Sequence, residues 1–384
     1  MDERLYYIDW LRGLAMGAVF FFHCARFFGG GTWHLNNAEE SIIAHLFIGI
    51  LDLWLMPLFF LLSGVGAWYG LQRKTGSQFL WERIKRLLIP LYTVGLFVLI
   101  PPQFYFELSS NAGFTGTFWD VLPRYFERIF SFNPAWPGSF VPYTWSGHLW
   151  FLQFLFLISV ATLPALVYLK TPGGTKKISL LAGWFGKRGG AFLFVIPMCL
   201  VMIPIRHFFH GRYTWAEFLV YALLFVLGYI IPADKRFIQS VVRSKWLGLA
   251  LGLIGFGGEG FFILGLHYQF PGGEPFSMLY IAFNIIFNFA SWGWIVFILG
   301  TGSQQLNFNH NILSYANQAV LPFYIFHQTV ILVVGWFLIP LELSMIIKYI
   351  LIAIVSFIII MILYKGLVKQ FRPIQLLFGM KMRG

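Results

Sequence analysis

Charge is scarce in this sequence. Only 11% of its 384 residues are Asp, Glu, Lys or Arg, whereas about a quarter are charged in an ordinary soluble domain. That shortage argues against the two or three soluble domains that length alone would suggest. Cysteine is nearly absent as well. Cys24 and Cys199 are the only two, and both stand in apolar runs. They provide neither a disulfide framework nor a thiolate metal cluster. No strand leads into a phosphate-binding or dinucleotide-binding glycine loop, so the scattered Gly pairs point to helix packing and turns. Carboxylates are the rarer charge: 15 Asp and Glu stand against 27 Lys and Arg, a net charge of +12.

What is present is apolar sequence in long runs, 58% of the chain. Runs near 20 residues are about what a bilayer core of roughly 30 Å requires. Spans are predicted at 9–28, 44–71, 87–106, 148–169, 190–205, 214–232, 246–265, 277–300, 313–337 and 344–364. The second is long enough to tilt or to extend beyond the membrane. The expected fold class is an all-α polytopic membrane protein of about ten helices, one domain over 1–384. The first apolar run has no A-x-A-like cleavage site after it, so it reads as a retained span.

An even number of spans places both termini on one side. Twenty of the 27 Lys and Arg fall on that side: Arg4, the loop from Arg73 to Arg86, the stretches 170–188 and 235–245, and the basic tail 365–384. Five fall on the other: Arg26, Arg124, Arg128, Arg206 and Arg212. Short cytoplasmic loops collect Lys and Arg, so this asymmetry puts the termini in the cytoplasm, in a cytoplasmic (inner) membrane. It also accounts for the basic balance without nucleic acid as a partner. The tail is expected to lie on anionic lipid, and Phe79 and Trp81 predict a short amphipathic helix on the membrane within 72–86. The largest opposite-side segment, about 101–147, is rich in Phe130, Phe132, Trp136, Phe140, Tyr143 and Trp145. It reads first as a re-entrant or interfacial loop with aromatic anchors, a reading compatible with a wall for a substrate on that side.

An ionisable group inside a bilayer is costly, so each is a functional candidate. Arg12 and His23 are eleven residues apart, three helical turns plus about 20°, so both lie on one face with an axial separation of about 16 Å. Met16 and Val19 occupy the same stripe. Asp9, three residues before Arg12, is placed to pair with it. Gly13 and Gly17 form a small-xxx-small pair that would admit a neighbouring helix. Arg83 and Arg86 share a helix face. His148 opens the fourth span, where it either contacts a substrate or caps the helix. His327 lies within the ninth, as a second active-site group or an interhelical hydrogen-bonding residue. Ser63 is a weaker candidate nucleophile, since serines in membrane helices more often bond their own backbone. Asp52, Glu217, Glu259 and Lys348 are expected to be paired or interfacial. His207 and His210 lack a carboxylate in range, so no metal site is expected.

Arg12 to His23 fits the R-x10-H motif of the acyltransferase-3 superfamily of integral membrane acyltransferases. Ile8 to Ala15 resembles that family's opening, and Pro57 to Gly64 its second span. Arg83-Ile84-Lys85-Arg86 resembles its R-x-x-R loop. His148 to Leu152 and Pro322 to His327 are similar to further family segments, so the resemblance spans the chain. The glucan-modifying succinyltransferase branch is the subgroup that it resembles. The resemblance implies transfer of an acyl group from a cytoplasmic acyl-coenzyme A to a hydroxyl of an extracytoplasmic glycan. His23 is then the expected general base, the role for which imidazole is best matched near neutral pH. Arg12, Arg83 and Arg86 are expected to hold the donor's phosphates, which guanidinium binds bidentately. The alternatives are a proton-coupled transporter or flippase, against which no internal repeat is found, and a structural partner in an envelope assembly.

Overall fold

The computed structural model describes residues 5–31, 33–111, 113–137, 147–209, 211–262, 274 and 276–380. Arg4, Phe140, Tyr143, Trp145, His210, Lys381 and Arg383, all weighed above, lie outside the described residues. Within them the chain is helical, and ten helices are long and apolar enough to cross a membrane. They are α1 Tyr6–Ala25, α2 Ile42–Arg73, α3 Gly76–Ser110, α4 Gly147–Leu169 and α5 Gly190–Phe208. The second five are α6 Trp215–Ala233, α7 Lys235–Gly260, α8 Met278–Gln305, α9 Asn311–Leu338 and α10 Met345–Val368. A helix satisfies its own backbone hydrogen bonds, which a bilayer interior demands.

Side chains at the helix starts fix where the spans begin. The Ser41 hydroxyl accepts from the Ala44 amide and opens α2. Thr75 and Gln78 form a reciprocal capping box at the start of α3. Asp234 caps α7 and Ser277 caps α8. Each cap gives a partner to an amide that the first helical turn leaves unpaired. The Asp234 carboxyl titrates below the usual carboxylate range because Arg236 hydrogen-bonds it.

Two helix pairs form the tightest seams. Between α2 and α6, a Cβ on Gly64 would sit 1.9 Å from the Phe225 carbonyl oxygen, and one on Gly228 would sit 1.9 Å from that of Leu61. Between α7 and α8, a Cβ on Gly248 would lie 2.7 Å from the Gly293 oxygen. Gly13 and Gly17 behave differently from expectation. A Cβ on either would meet no atom within 4 Å, so the pair mediates no close helix contact. On α10, Ile346, Ile350, Ile354, Phe357 and Ile358 are exposed while Ile352 and Ile360 are buried, the stripe of a helix with one face to lipid.

Two segments depart from the sequence expectation. The stretch 76–83 forms the first turns of α3, with Phe79 buried, and is not a separate surface helix; beyond it α3 is π-helical over Ile84–Leu88 and Leu91–Leu99 around Pro90. Proline lacks the amide proton a regular α-helix needs there. The tail does more than lie on a surface. Helix Arg372–Leu377 leads Phe378 into the bundle, where it packs on Phe326 of α9 with centroids 4.6 Å apart. Gly379 follows at φ +65, and a Cβ there would be 2.7 Å from the Arg86 oxygen, so only glycine is accommodated.

Candidate active site

A basic cavity of about 470 Å³ opens among α1, α2, α3, α4 and α9. Arg12, Met16 and Val19 of α1 line it, as their shared stripe predicted. Helix α2 adds Met56, Phe59, Ser63, Gly66 and Gly70. Arg12, Arg73, Lys74, Arg83 and Arg86 bring five cations to its wall against the single carboxylate of Glu82, which Lys74 pairs. Arg83 lies over the Phe79 ring at 4.9 Å, and Asp9 holds Arg12 at 3.2 Å. A Cβ on Gly66 would meet nothing within 4 Å, so the floor beside it is open.

A second cavity, of about 450 Å³, lies toward the other end of α2. Arg26, Asp52, Arg206, Arg212, Tyr213, Glu217 and Glu259 line it. Here charges are balanced rather than of one sign. Arg212 donates to Asp52 at 2.5 Å, and Arg206 pairs with Glu217, which also caps α6 through Thr214. Asp52 raises the proton affinity of Arg212 above the guanidinium norm. Burial pushes the Tyr213 phenol up to about 12, so it remains a hydrogen-bond donor at neutral pH. Trp150 packs on that phenol ring at 4.1 Å between centroids.

Between the cavities stand three histidines. The lining of the first ends at Val19 on α1 and that of the second begins at Arg26, so His23 occupies the interval. His23 Nδ1 lies 2.9 Å from the Val19 oxygen and 3.3 Å from His327 Nε2. His327 Nδ1 lies 2.5 Å from the Tyr324 oxygen. Carbonyl oxygens only accept, so each Nδ1 carries the proton. His327 Nε2 then accepts from His23, and His23 Nε2 is left with a lone pair and no hydrogen bond among the described residues. His148 is arranged the other way. Its Nε2 donates to the Ile325 oxygen at 3.0 Å, and its Nδ1 accepts from Gln103 at 2.9 Å. It is buried with both nitrogens engaged. Its ring lies 5.2 Å from that of His327.

The sequence has counterparts among known proteins. The acyltransferase domain model of the acyltransferase-3 type matches residues 5–365. The chain belongs to that acyltransferase family. Glucans biosynthesis protein C of Escherichia coli (strain SMS-3-5 / SECEC) is 23% identical over 368 residues, covering 88% of this chain and 85% of the relative. The proteins of that name from E. coli O139:H28 (strain E24377A / ETEC) and strain K12 match with the same identity and coverage. No solved structure matches.

In this membrane acyltransferase the residues singled out from sequence divide cleanly. Arg12, Arg83 and Arg86 converge on one cavity, and His23, His148 and His327 form one cluster. Asp52 and Glu217 are paired, as expected. Lys348 is buried and bonds Asn37 at 2.9 Å and the Ile339 oxygen at 2.7 Å, tying α10 to the loop after α1. His207 packs on Phe276 at 4.9 Å. No group of three metal-binding side chains occurs among the described residues.

Sequence reasoning missed the amides that support the histidines. Gln103 is fully buried and bonds His148, Thr329 and Gln328. Gln328 reaches His34 at 3.0 Å, and His34 lies 3.3 Å from Glu107. The signal was available: an uncharged amide in an apolar run must find a partner when buried, and Gln103 and Gln328 both lie in predicted spans.

Proposed function

We propose that the enzyme moves an acyl group, acetyl, succinyl or similar, from a cytoplasmic acyl-coenzyme A to a hydroxyl of an extracytoplasmic glycan. The observation that carries this reading is the change of cavity at His23. A cavity rich in guanidinium ends one helical turn below the ring, and a balanced, aromatic-flanked cavity begins three residues above it. Phosphate and guanidinium make charge-assisted, bidentate hydrogen bonds, so Arg12, Arg83 and Arg86 fit the donor's phosphates, with Arg73 adding charge. The roughly 16 Å from Arg12 to His23 is a length that a pantetheine arm spans. The termini then face the cytoplasm, in accord with the Lys and Arg asymmetry, in an inner membrane.

Chemistry follows from the tautomers. His23 Nε2 accepts the proton of the acceptor hydroxyl as its oxygen attacks the thioester carbonyl. Positive charge developing on the ring spreads through Nδ1–H to the Val19 oxygen and to His327 Nε2. His327 is fixed by the Tyr324 oxygen, and His148 and Gln103 fix its surroundings. The carbon–sulfur bond breaks, the ester forms, and the protonated imidazole returns its proton to the leaving thiolate. The relatives' name, glucans biosynthesis protein C, makes glucan hydroxyls the first acceptors to test.

Purified enzyme in nanodiscs, incubated with labelled acetyl- or succinyl-coenzyme A and glucan oligosaccharides, should yield labelled ester without any ion gradient. Uptake into vesicles that needs a gradient, with no covalent change in the glucan, would instead make the protein a carrier.

A further inference from the structure

The two cavities meet at a single side chain. Among the described residues, Met56 is the one that lines both. Its helix explains why. On α2, Asp52 and Leu53 face the second cavity just before it, while Phe59 and Ser63 face the first beyond it. The changeover on α1, between Val19 and Arg26, encloses His23. Pro57 follows immediately inside the helix, and its missing amide proton leaves the Leu53 carbonyl without its regular partner. Methionine is unbranched and flexible, suited to an irregular gap that must change shape.

We propose that the Met56 side chain is the partition between the two cavities at the level of His23: in place it separates them, and displaced it joins them. What the cavities hold rests on the function proposed above; the partition itself does not. Its consequence for that function is protection of the thioester. With the partition removed, water from the second cavity reaches the carbonyl carbon. Its oxygen adds there, the carbon–sulfur bond breaks, the acyl group leaves as a carboxylic acid, and the proton ends on sulfur as the free coenzyme thiol. A methionine that merely fills a core would on truncation leave a cavity and lower stability, without connecting two compartments.

The test uses accessibility, which needs no acyl donor. Cys24 and Cys199 are replaced by serine, and Met56→Cys is introduced in the full-length protein in sealed vesicles of each orientation. A membrane-impermeant methanethiosulfonate is then applied from outside. Ser63→Cys, on the first cavity alone, and His45→Cys, on the second alone, calibrate the faces. The Met56→Cys protein is expected to label from both faces, the Ser63→Cys protein from the termini side, and the His45→Cys protein from the opposite side. Labelling of Met56→Cys from one face only, or from neither while the SDS-unfolded protein labels fully, overturns the proposal. A second measurement covers the case in which that variant does not fold. Vesicles carrying Met56→Ala should leak protons faster than wild type, and those carrying Met56→Leu should not; equal leak in all three also overturns it. Neither readout depends on catalysis, so failure here leaves acyl transfer standing, and absence of transfer leaves the partition standing.

Discussion

His327 presents Nε2 to Nδ1 of His23 at 3.3 Å, with its own Nδ1 committed to the Tyr324 oxygen at 2.5 Å. That arrangement dictates the order in which the two rings matter. Nδ1 spends its proton on the Tyr324 oxygen and Nε2 spends its lone pair on His23, so in the proposed mechanism His327 acts through His23 and not on a substrate. Its removal should weaken, and not erase, turnover. Partners that orient metal-bound histidines are worth roughly 10–100-fold; by that analogy His327→Ala should lower kcat by a similar order while the KM for the acyl donor stays near wild type. An unchanged kcat would show that the ring only packs helices.

The basic cavity should act on binding. Loss of one hydrogen bond to a charged group costs about 1.5–3 kcal/mol, roughly ten-fold or more in affinity. Arg83→Ala and Arg86→Ala should raise the donor's KM by that order, leaving kcat largely intact. Arg86→Lys should restore only part, since an ammonium lacks the planar fork. Isothermal titration with the coenzyme checks both.

Gly66 offers a way to close the same cavity without disturbing the fold. A Cβ there meets nothing within 4 Å, so Gly66→Trp should fill open space. Donor binding should be lost while the melting temperature in detergent holds. Gly64, two residues earlier, should respond in the opposite manner. Gly64→Ala drives a methyl into the Phe225 carbonyl, and overpacking a well-packed site costs about 1–3 kcal/mol. Thermal unfolding of the two variants side by side separates a lining residue from a seam residue.

The re-entrant tail makes a further prediction. Phe378 is buried against Phe326, the residue before His327, and Gly379 abuts Arg86. Deleting residues 371–384 should therefore lower both stability and donor affinity, and Phe378→Ala should reproduce much of the stability loss, about 3–5 kcal/mol for a buried Phe. If truncation left both properties unchanged, the packing of the tail would be incidental.

The membrane architecture is legible because hydropathy is a local property: ten apolar runs correspond to ten helices, and only their ends differ. Arg12, Met16 and Val19 fall on one wall by helical periodicity, since an α-helix carries its face relationships in spacing alone. Where the helix type changes, that rule fails. The π-helical turns of α3 around Pro90 are invisible to a 3.6-residue count, and Gln103 lies beyond them on the same helix. Which helices face one another is also not written in spacing. Gly13 and Gly17 carry the packing motif yet meet open space, while Gly64 and Gly228 make the seam. The basic residues of the tail suggest a surface, and one aromatic, Phe378, decides otherwise.

The most direct test of the proposed base is His23→Gln, which keeps a polar side chain and removes a proton acceptor of suitable basicity. Acyl transfer from labelled acyl-coenzyme A to glucan should fall by about 10²–10⁴-fold, the contribution of a positioned acid–base group, while the donor's dissociation constant, measured separately by calorimetry, stays at the wild-type value. Transfer at the wild-type rate in a folded, donor-binding His23→Gln enzyme would contradict the assignment.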